Sequence, residues 1–314
     1  RLQRKAIAAA NGWFNPSLKG LARGERAMAN WDEDAITMGV EAARDCLGGF
    51  DRGALRSLSF ASTTHPFDDR PSAGVVATAL NLRSALRSMD VGGGLRAGTS
   101  ALLAAFDAAA AGPVLVTASE RRNARAASPQ EMQYGDGAAA LLVGRGAPLA
   151  RLIGAHSETV DFVHQYRARD RAYDYTWEER WVRDEGYLKI VPAAIAGALK
   201  AAGIDPASVV HFCMPCVLSR VTPAVAKRAG IPEAAVRDNL AAVCGDTGAA
   251  HALLLLVATL EQAKAGERIV VAALGEGCDA LVFEATGAAT GPRRGVSGSL
   301  ARRKEETQYP KYLA

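Results

Sequence analysis

One order of elements occurs twice in this chain, and the repeat limits the fold more than any single motif does. Asp34–Leu47 has apolar residues at helical spacing, an acidic start and a Gly48-Gly49 stop. The strand-like Leu55–Ser62 follows, then a Gly-rich turn opening a helix to about Ala111, the apolar strand Val114–Ala118, the turn Tyr134-Gly-Asp-Gly137 and a last strand Ala138–Val143. From Tyr187 the order returns as helix Leu188–Ala202, strand Val209–Cys213, turn Cys244–Gly248, helix Ala249–Ala263, strand Arg268–Ala273, turn Gly275-Glu-Gly277 and strand Ala280–Glu284. A period of roughly 150 residues is far longer than a solenoid repeat and predicts a duplicated α/β domain. The predicted boundaries are an N-terminal half at 1–150, a connecting insertion at 151–186, a C-terminal half at 187–291 and a basic tail at 292–314.

Composition narrows the function classes. With 314 residues and 49% hydrophobic content the chain can bury a large core. Lys and Arg exceed Asp and Glu only by 37 to 33, and much of the excess lies in Arg293-Arg294 and Arg302-Arg303-Lys304. That balance argues against a nucleic-acid partner, while a basic rim would suit a phosphorylated ligand such as coenzyme A. Five sparse cysteines point to a reducing, cytoplasmic setting. The longest apolar run, Ala249–Leu260, is broken by His251 and too short to span a bilayer, so no membrane association is expected. The polar and aromatic stretch from His156 to Asp184 reads as a lid over a site or a surface for a partner.

Asp90-Val-Gly-Gly-Gly-Leu-Arg-Ala-Gly-Thr99 is built like a nucleophile turn, with a helix starting where its dipole would acidify a thiol. Leu95 stands at the nucleophile's place, and an aliphatic side chain can do no nucleophilic chemistry.

Together with the repeat, the stretches Trp31-Asp-Glu-Asp-Ala-Ile-Thr-Met38, Thr64-His-Pro66, Arg96-Ala-Gly-Thr99, Gly135-Asp-Gly-Ala-Ala139, Glu185-Gly-Tyr-Leu-Lys189, Gly245-Asp-Thr-Gly248 and Leu274-Gly-Glu-Gly277 resemble the thiolase superfamily. The resemblance is nearest to 3-hydroxy-3-methylglutaryl-CoA synthases and ketoacyl-synthase-III-like proteins, and covers nearly the whole chain. It implies a thiolase-like α/β fold, with two duplicated α-β-α-β-β halves in a layered αβαβα arrangement. It also implies an acyl-accepting cysteine, a histidine and an asparagine that polarise the thioester, and a glutamate acid/base. Carried over by position, these fall on Leu95, Cys213, Asp246 and Thr63, so all four places hold a different residue. His211 takes the histidine's place if that loop shifts by two residues.

The resemblance therefore implies an uncertain enzyme: a synthase-like subunit without its own cysteine, in a heteromeric acyl-CoA acyltransferase or thiolase complex acting on a β-ketoacyl-CoA. Its partners would be a cysteine-bearing thiolase subunit and a zinc-ribbon OB-fold protein, with zinc only on the partner. Coenzyme A or an acyl-CoA is the expected ligand, and a homo- or heterodimer the expected assembly. Two alternatives stay open: a free-standing enzyme with non-covalent chemistry on Asp246, His251 or His65, and a non-catalytic acyl-CoA sensor. Lys189 and Arg183, flanking the insertion, are candidate contacts to coenzyme A phosphates, with solvated charge as the bland reading. His251 reads first as a core histidine, and His65 equally as a site residue or a loop residue packed on Pro66. Cys213-Met-Pro-Cys216 has the spacing of a redox or zinc site, with Cys244 and Cys278 as conceivable further ligands, but two ordinary buried thiols are the stronger reading and no metal is expected. Gly135-Asp-Gly137 and Gly275-Glu-Gly277 read as turns that let the halves approach. The closing Tyr309–Leu313 reads as an amphipathic tail that docks on a partner or stays disordered.

Overall fold

The computed structural model describes residues 1–289, 291 and 293–313. Its N-terminal half contains helix α1 (Ala35–Cys46), strand β1 (Ser57–Ala61), helix α2 (Ser72–Ala79), strand β2 (Arg87–Val91), helix α3 (Ala97–Ala108), and strands β3 (Val114–Glu120) and β4 (Gly137–Val143). Strand β5 (Ala150–Thr159), helix α4 (Val191–Ala202), strand β6 (Val209–Cys213), helix α5 (Val221–Arg228), helix α6 (His251–Leu260), and strands β7 (Arg268–Leu274) and β8 (Gly277–Ala285) form the C-terminal half.

The duplication is visible in the sheets. The first runs in the order β2-β1-β3-β4 and the second β6-β7-β8-β5. In each, two strands pair in parallel (β1 with β3, β6 with β7), and the next strand along the chain adds an antiparallel neighbour. Parallel pairing needs a crossover, which α3 and α6 supply. Because both of its faces are covered, β3 is buried at every position and reads as a continuous apolar run in sequence.

The layers follow from which faces are apolar. Alanines and leucines of α3 and α6 share one cluster with β3 and β7, so these two helices form the middle layer. Helices α1 and α2 cover the outer face of the first sheet around Phe60 and Leu115. Helices α4 and α5 cover the second sheet around Phe212 and Val270. This is the layered αβαβα order that the resemblance implies, built on the duplication that the repeat predicts. Gly98 makes the middle layer possible, since a Cβ there would lie 2.2 Å from the carbonyl oxygen of Ala249. Gly135 does the same between the halves, its missing Cβ falling 1.8 Å from the Cys244 carbonyl oxygen.

Local signals explain the element ends. Asp34 and Thr37 form a reciprocal capping box at the start of α1, and Gly203 closes α4 in the left-handed region. Asp90 accepts from the N–H groups of Ser72 and Ala73, both at 2.7 Å, and so holds the start of α2.

Three segments differ from their sequence reading. Residues 87–91 form the edge strand β2, whose mostly exposed polar pattern hides it in the approach to the Gly-rich turn. Residues 150–159, divided above between the first half and the insertion, pair with β8 in the second sheet. The tail is ordered on its own chain: Tyr309 Oη donates to Glu131 at 2.8 Å, Tyr312 accepts from Arg26 at 3.1 Å, and Tyr309 shares an apolar cluster with Ile7 and Ala8 of the helix Arg4–Asn11. The boundary residues Pro292 and Ala314 lie outside the described residues.

Candidate functional site

The N-terminus of α3 is fixed firmly, whatever stands there. Arg96 donates to Asp279 at 2.7 Å and to the Gly275 carbonyl at 3.1 Å. The buried Asp279 also accepts from Thr99, Ser100 and Ser157 hydroxyls at 2.9, 2.7 and 2.7 Å. Gly275 packs so closely on this turn that a Cβ would lie 2.5 Å from Arg96 N. The half-buried Leu95 therefore sits at a rigid helix start where a thiolate would be stabilised.

Burial raises the pKa of every native thiol. Burial pushes the Cys46 and Cys213 thiols up to about 11 and those of Cys216 and Cys244 to about 12. Cys278 is pushed higher still by burial and the neighbouring Asp279. At neutral pH a group with a pKa near 12 is ionised in about one molecule in 10⁵. All five cysteines are free. Cys213 and Cys216 belong to two different apolar clusters, and among the described residues no three His, Cys, Asp or Glu side chains are arranged to hold a metal.

Cys213 shares a hydrogen bond with Thr259 Oγ1 at 3.1 Å, in the last turn of α6. Asp246 lies before the first turn of that helix, about 12 Å away along its axis. The structure thus does not bring Cys213 and Asp246 together. Cys216 is nearer: the hydroxyl of Tyr187 donates to the carbonyl of the adjacent Pro215 at 3.4 Å, and the charge of Asp246 acts on both Tyr187 and Cys216. Tyr187 is carried by a π-helical stretch, Val182–Ile190, that leads into α4; such widened turns often accompany functional sites.

Asp246 is the centre of a polar network. Arg122 Nη2 reaches its carboxylate at 2.8 Å and its main-chain carbonyl, also at 2.8 Å. Gly248 N–H adds a bond of 3.0 Å. Burial opposes its charge, but Arg122 beside it and the Gly248 N–H outweigh burial and hold the carboxyl below the usual range. Arg122 lies over the Tyr134 ring at 3.7 Å. Tyr134 Oη donates to Asp174 at 2.9 Å, Arg167 pairs with Asp174 at 2.7 Å, and Arg167 also donates to the Thr63 carbonyl. By this chain the insertion is pinned across the site.

The other expected positions are committed to structure. Thr63 N–H donates to Glu120 at 3.0 Å. The fully buried Glu120 also accepts from Ser62, Thr64 and Ala249 N–H at 3.1, 2.7 and 3.0 Å, tying the two halves. Thr247 N–H donates to His251 Nδ1 at 2.9 Å, so Nε2 carries the proton and gives it to the Asn239 carbonyl at 2.7 Å. Burial lowers the His251 pKa against the pull of Asp246, so the 3.8 Å approach of these two is a contact with a neutral ring. His65 bonds Ser72 at 3.1 Å and packs edge-on to Phe60, beside α2. His211 bonds Glu267 at 2.8 Å. Lys189 and Arg183 are exposed and pair with Glu185 and Asp184 at 2.5 and 2.7 Å. Sequence reading missed Glu120, Arg122, Tyr134, His164 and Asp174. The one available signal is the Glu120-Arg121-Arg122 run, whose charges follow directly on a buried strand.

Comparison with known proteins agrees with this geometry. Residues 199–284 match the family model for the 3-oxoacyl-[acyl-carrier-protein (ACP)] synthase III C terminal. The chain is 29% identical over 287 residues to a hydroxymethylglutaryl-CoA synthase of Aeropyrum pernix, covering 88% of this chain and 78% of that one. It is 28% identical over 295 residues to the Methanosarcina mazei enzyme of the same name, covering 91% and 84%. Among solved structures, PksG, an HMG-CoA synthase from Bacillus subtilis, superposes with a TM-score of 0.81 at 18% identity, over 98% of this chain and 83% of that one. An HMG-CoA synthase complexed with CoA gives 0.79 at 20% identity, over 99% and 85%. The fold is thus a thiolase-like one. In sequence the chain is similar to HMG-CoA synthases and, over residues 199–284, to 3-oxoacyl-ACP synthase III proteins.

Proposed function

We propose that this chain is the non-acylating, HMG-CoA-synthase-like subunit of a heteromeric acyl-CoA condensing or cleaving system, and that it binds coenzyme A or an acyl-CoA. One observation supports the reading: the start of α3 carries Leu95 where the resemblance calls for an acyl acceptor, while burial pushes the cysteine thiols up. Covalent transfer divides a hard step into two and has no route through a hydrocarbon. The bond-making thiolate then comes from a cysteine-bearing thiolase subunit, and a zinc-ribbon OB-fold protein completes the assembly with its own zinc. The substrate class is a β-ketoacyl-CoA, in Claisen condensation or its reverse.

The free-standing, non-covalent alternative is disfavoured by the histidines. Both nitrogens of His251 are occupied within the protein, and His65 is bound to Ser72 away from Asp246. The test is thiolysis of acetoacetyl-CoA by free coenzyme A. The purified chain alone should release no acetyl-CoA, and activity should appear when a co-purified cysteine-bearing thiolase is added. Iodoacetamide-sensitive turnover by this chain alone overturns the reading.

A further inference from the structure

Two buried side chains beside Asp246 are left with hydrogen-bonding capacity that the protein does not use. Arg122 is 2% exposed, yet its Nε and Nη1 have no hydrogen-bond partner among the described residues. His164 is 8% exposed, and neither ring nitrogen has one. Buried polar groups are nearly always paired and each exception is destabilising, so two together need a reason.

The surroundings say what kind of group would satisfy them. Gly248 packs closely on Glu120 and Arg122, where a Cβ would lie 2.7 Å from Glu120 Cγ and 3.1 Å from Arg122 Nε, so only glycine fits beside the guanidinium. The main chain of His164 is fixed by bonds to Phe162 and Trp177, in the same insertion that Asp174 and Arg167 pin over Tyr134 and Thr63. Asp246 and Arg122 both act on the charge of this imidazole, and burial keeps it neutral. Arg122 is already neutralised by Asp246 at 2.8 Å, with the carboxylate of Glu120 also acting on it. A further carboxylate would leave excess negative charge in a buried place. A neutral acceptor oxygen fits: it takes N–H bonds without changing the charge balance.

We infer that Arg122 and His164 together form a receptor for the carbonyl oxygen of a bound acyl-CoA thioester, built on the insertion and the end of β3. This deepens the acyl-CoA reading above and rests on it. The pair does in this chain, with different residues from another part of the sequence, what the substituted positions at Cys213 and Asp246 cannot do. It orients the acyl group without accepting it.

The experiment is calorimetry with butyryl-CoA and with S-butyl-CoA, a thioether of equal chain length without the carbonyl. The wild-type chain should prefer butyryl-CoA by about tenfold or more, as sites that hydrogen-bond a ligand oxygen reject analogues lacking it. His164→Phe should bring the two affinities to within about twofold while raising Tm, because it removes an unpaired buried polar group. The double variant Arg122→Gln/Asp246→Asn, checked for folding by near-UV circular dichroism, should lose the preference too. Equal wild-type affinities, or a preference kept by His164→Phe, overturn this inference and leave coenzyme A binding standing. If neither compound binds the wild-type chain, the acyl-CoA reading fails and the inference falls with it.

Discussion

Removing one partner of the Arg122–Asp246 pair should destabilise the fold far more than removing both. The oppositely charged atoms stand 2.8 Å apart, Arg122 has no exposed side-chain surface, and Asp246 keeps 17% of its own. At an effective dielectric of about 20 their attraction is on the order of 5 kcal/mol, set against a desolvation cost of similar size. Arg122→Met or Asp246→Asn alone leaves one charge buried without its partner, which costs about 3–5 kcal/mol. The double variant replaces both and should cost less than either single change, a coupling of about 3 kcal/mol. The Tyr134 ring at 3.7 Å gives Met a surface to pack on, so shape loss does not mask the effect. The assay is urea unfolding of the four proteins of the cycle at pH 7.5, followed by circular dichroism. Single effects that add to within about 0.5 kcal/mol would refute the pairing and with it the polar network around Asp246.

Acid should weaken the fold in two stages. His164 and His251 have pKa values lowered by burial. The unfolded chain takes up these protons first, so stability falls as pH drops below about 6.5. Asp246, held below the usual range, stabilises above its ordinary pKa and loses this only as pH falls through its lower folded value. Urea midpoints from pH 8 to pH 5 should therefore decline, less steeply in His164→Phe, and a flat profile contradicts the burial of neutral imidazoles. Gly135→Ala, whose Cβ would lie 1.8 Å from the Cys244 carbonyl oxygen, should cost about 3 kcal/mol or more by forcing the halves apart. Differential scanning calorimetry checks it, and an unchanged Tm contradicts that approach. Leu95→Cys should lose only about 1 kcal/mol yet react with iodoacetamide at neutral pH faster than any native thiol, because it alone stands half-exposed at a helix N-terminus.

The layered fold was legible because its signals are local. Apolar runs such as Val114–Ala118 and Arg268–Ala273 and the Gly turns between them mark buried strands wherever they occur. Strand β2 was not legible, since an exposed edge strand with the sequence Arg-Ser-Met-Asp-Val carries no apolar alternation. The helix start after the Gly-rich turn, with Leu95 just before it, could be read from a single stretch. The polar network could not, for Arg122, Tyr134, Asp174 and Asp246 meet only through tertiary packing. His164 is one polar residue within a polar insertion, and its burial arises when Asp174 and Arg167 fasten that insertion down. Lys189 and Arg183 looked like ligand contacts from their place in the sequence, yet each pairs with a carboxylate on its own helical stretch.

The absence of an acyl acceptor is tested most directly by intact-protein mass spectrometry after incubation with acetyl-CoA and acetoacetyl-CoA, without reductant, with Leu95→Cys run in parallel. The wild-type chain should keep its unmodified mass in both, while the variant gains an acyl group at position 95. A stable acyl adduct on any native cysteine of the wild-type chain would contradict the account.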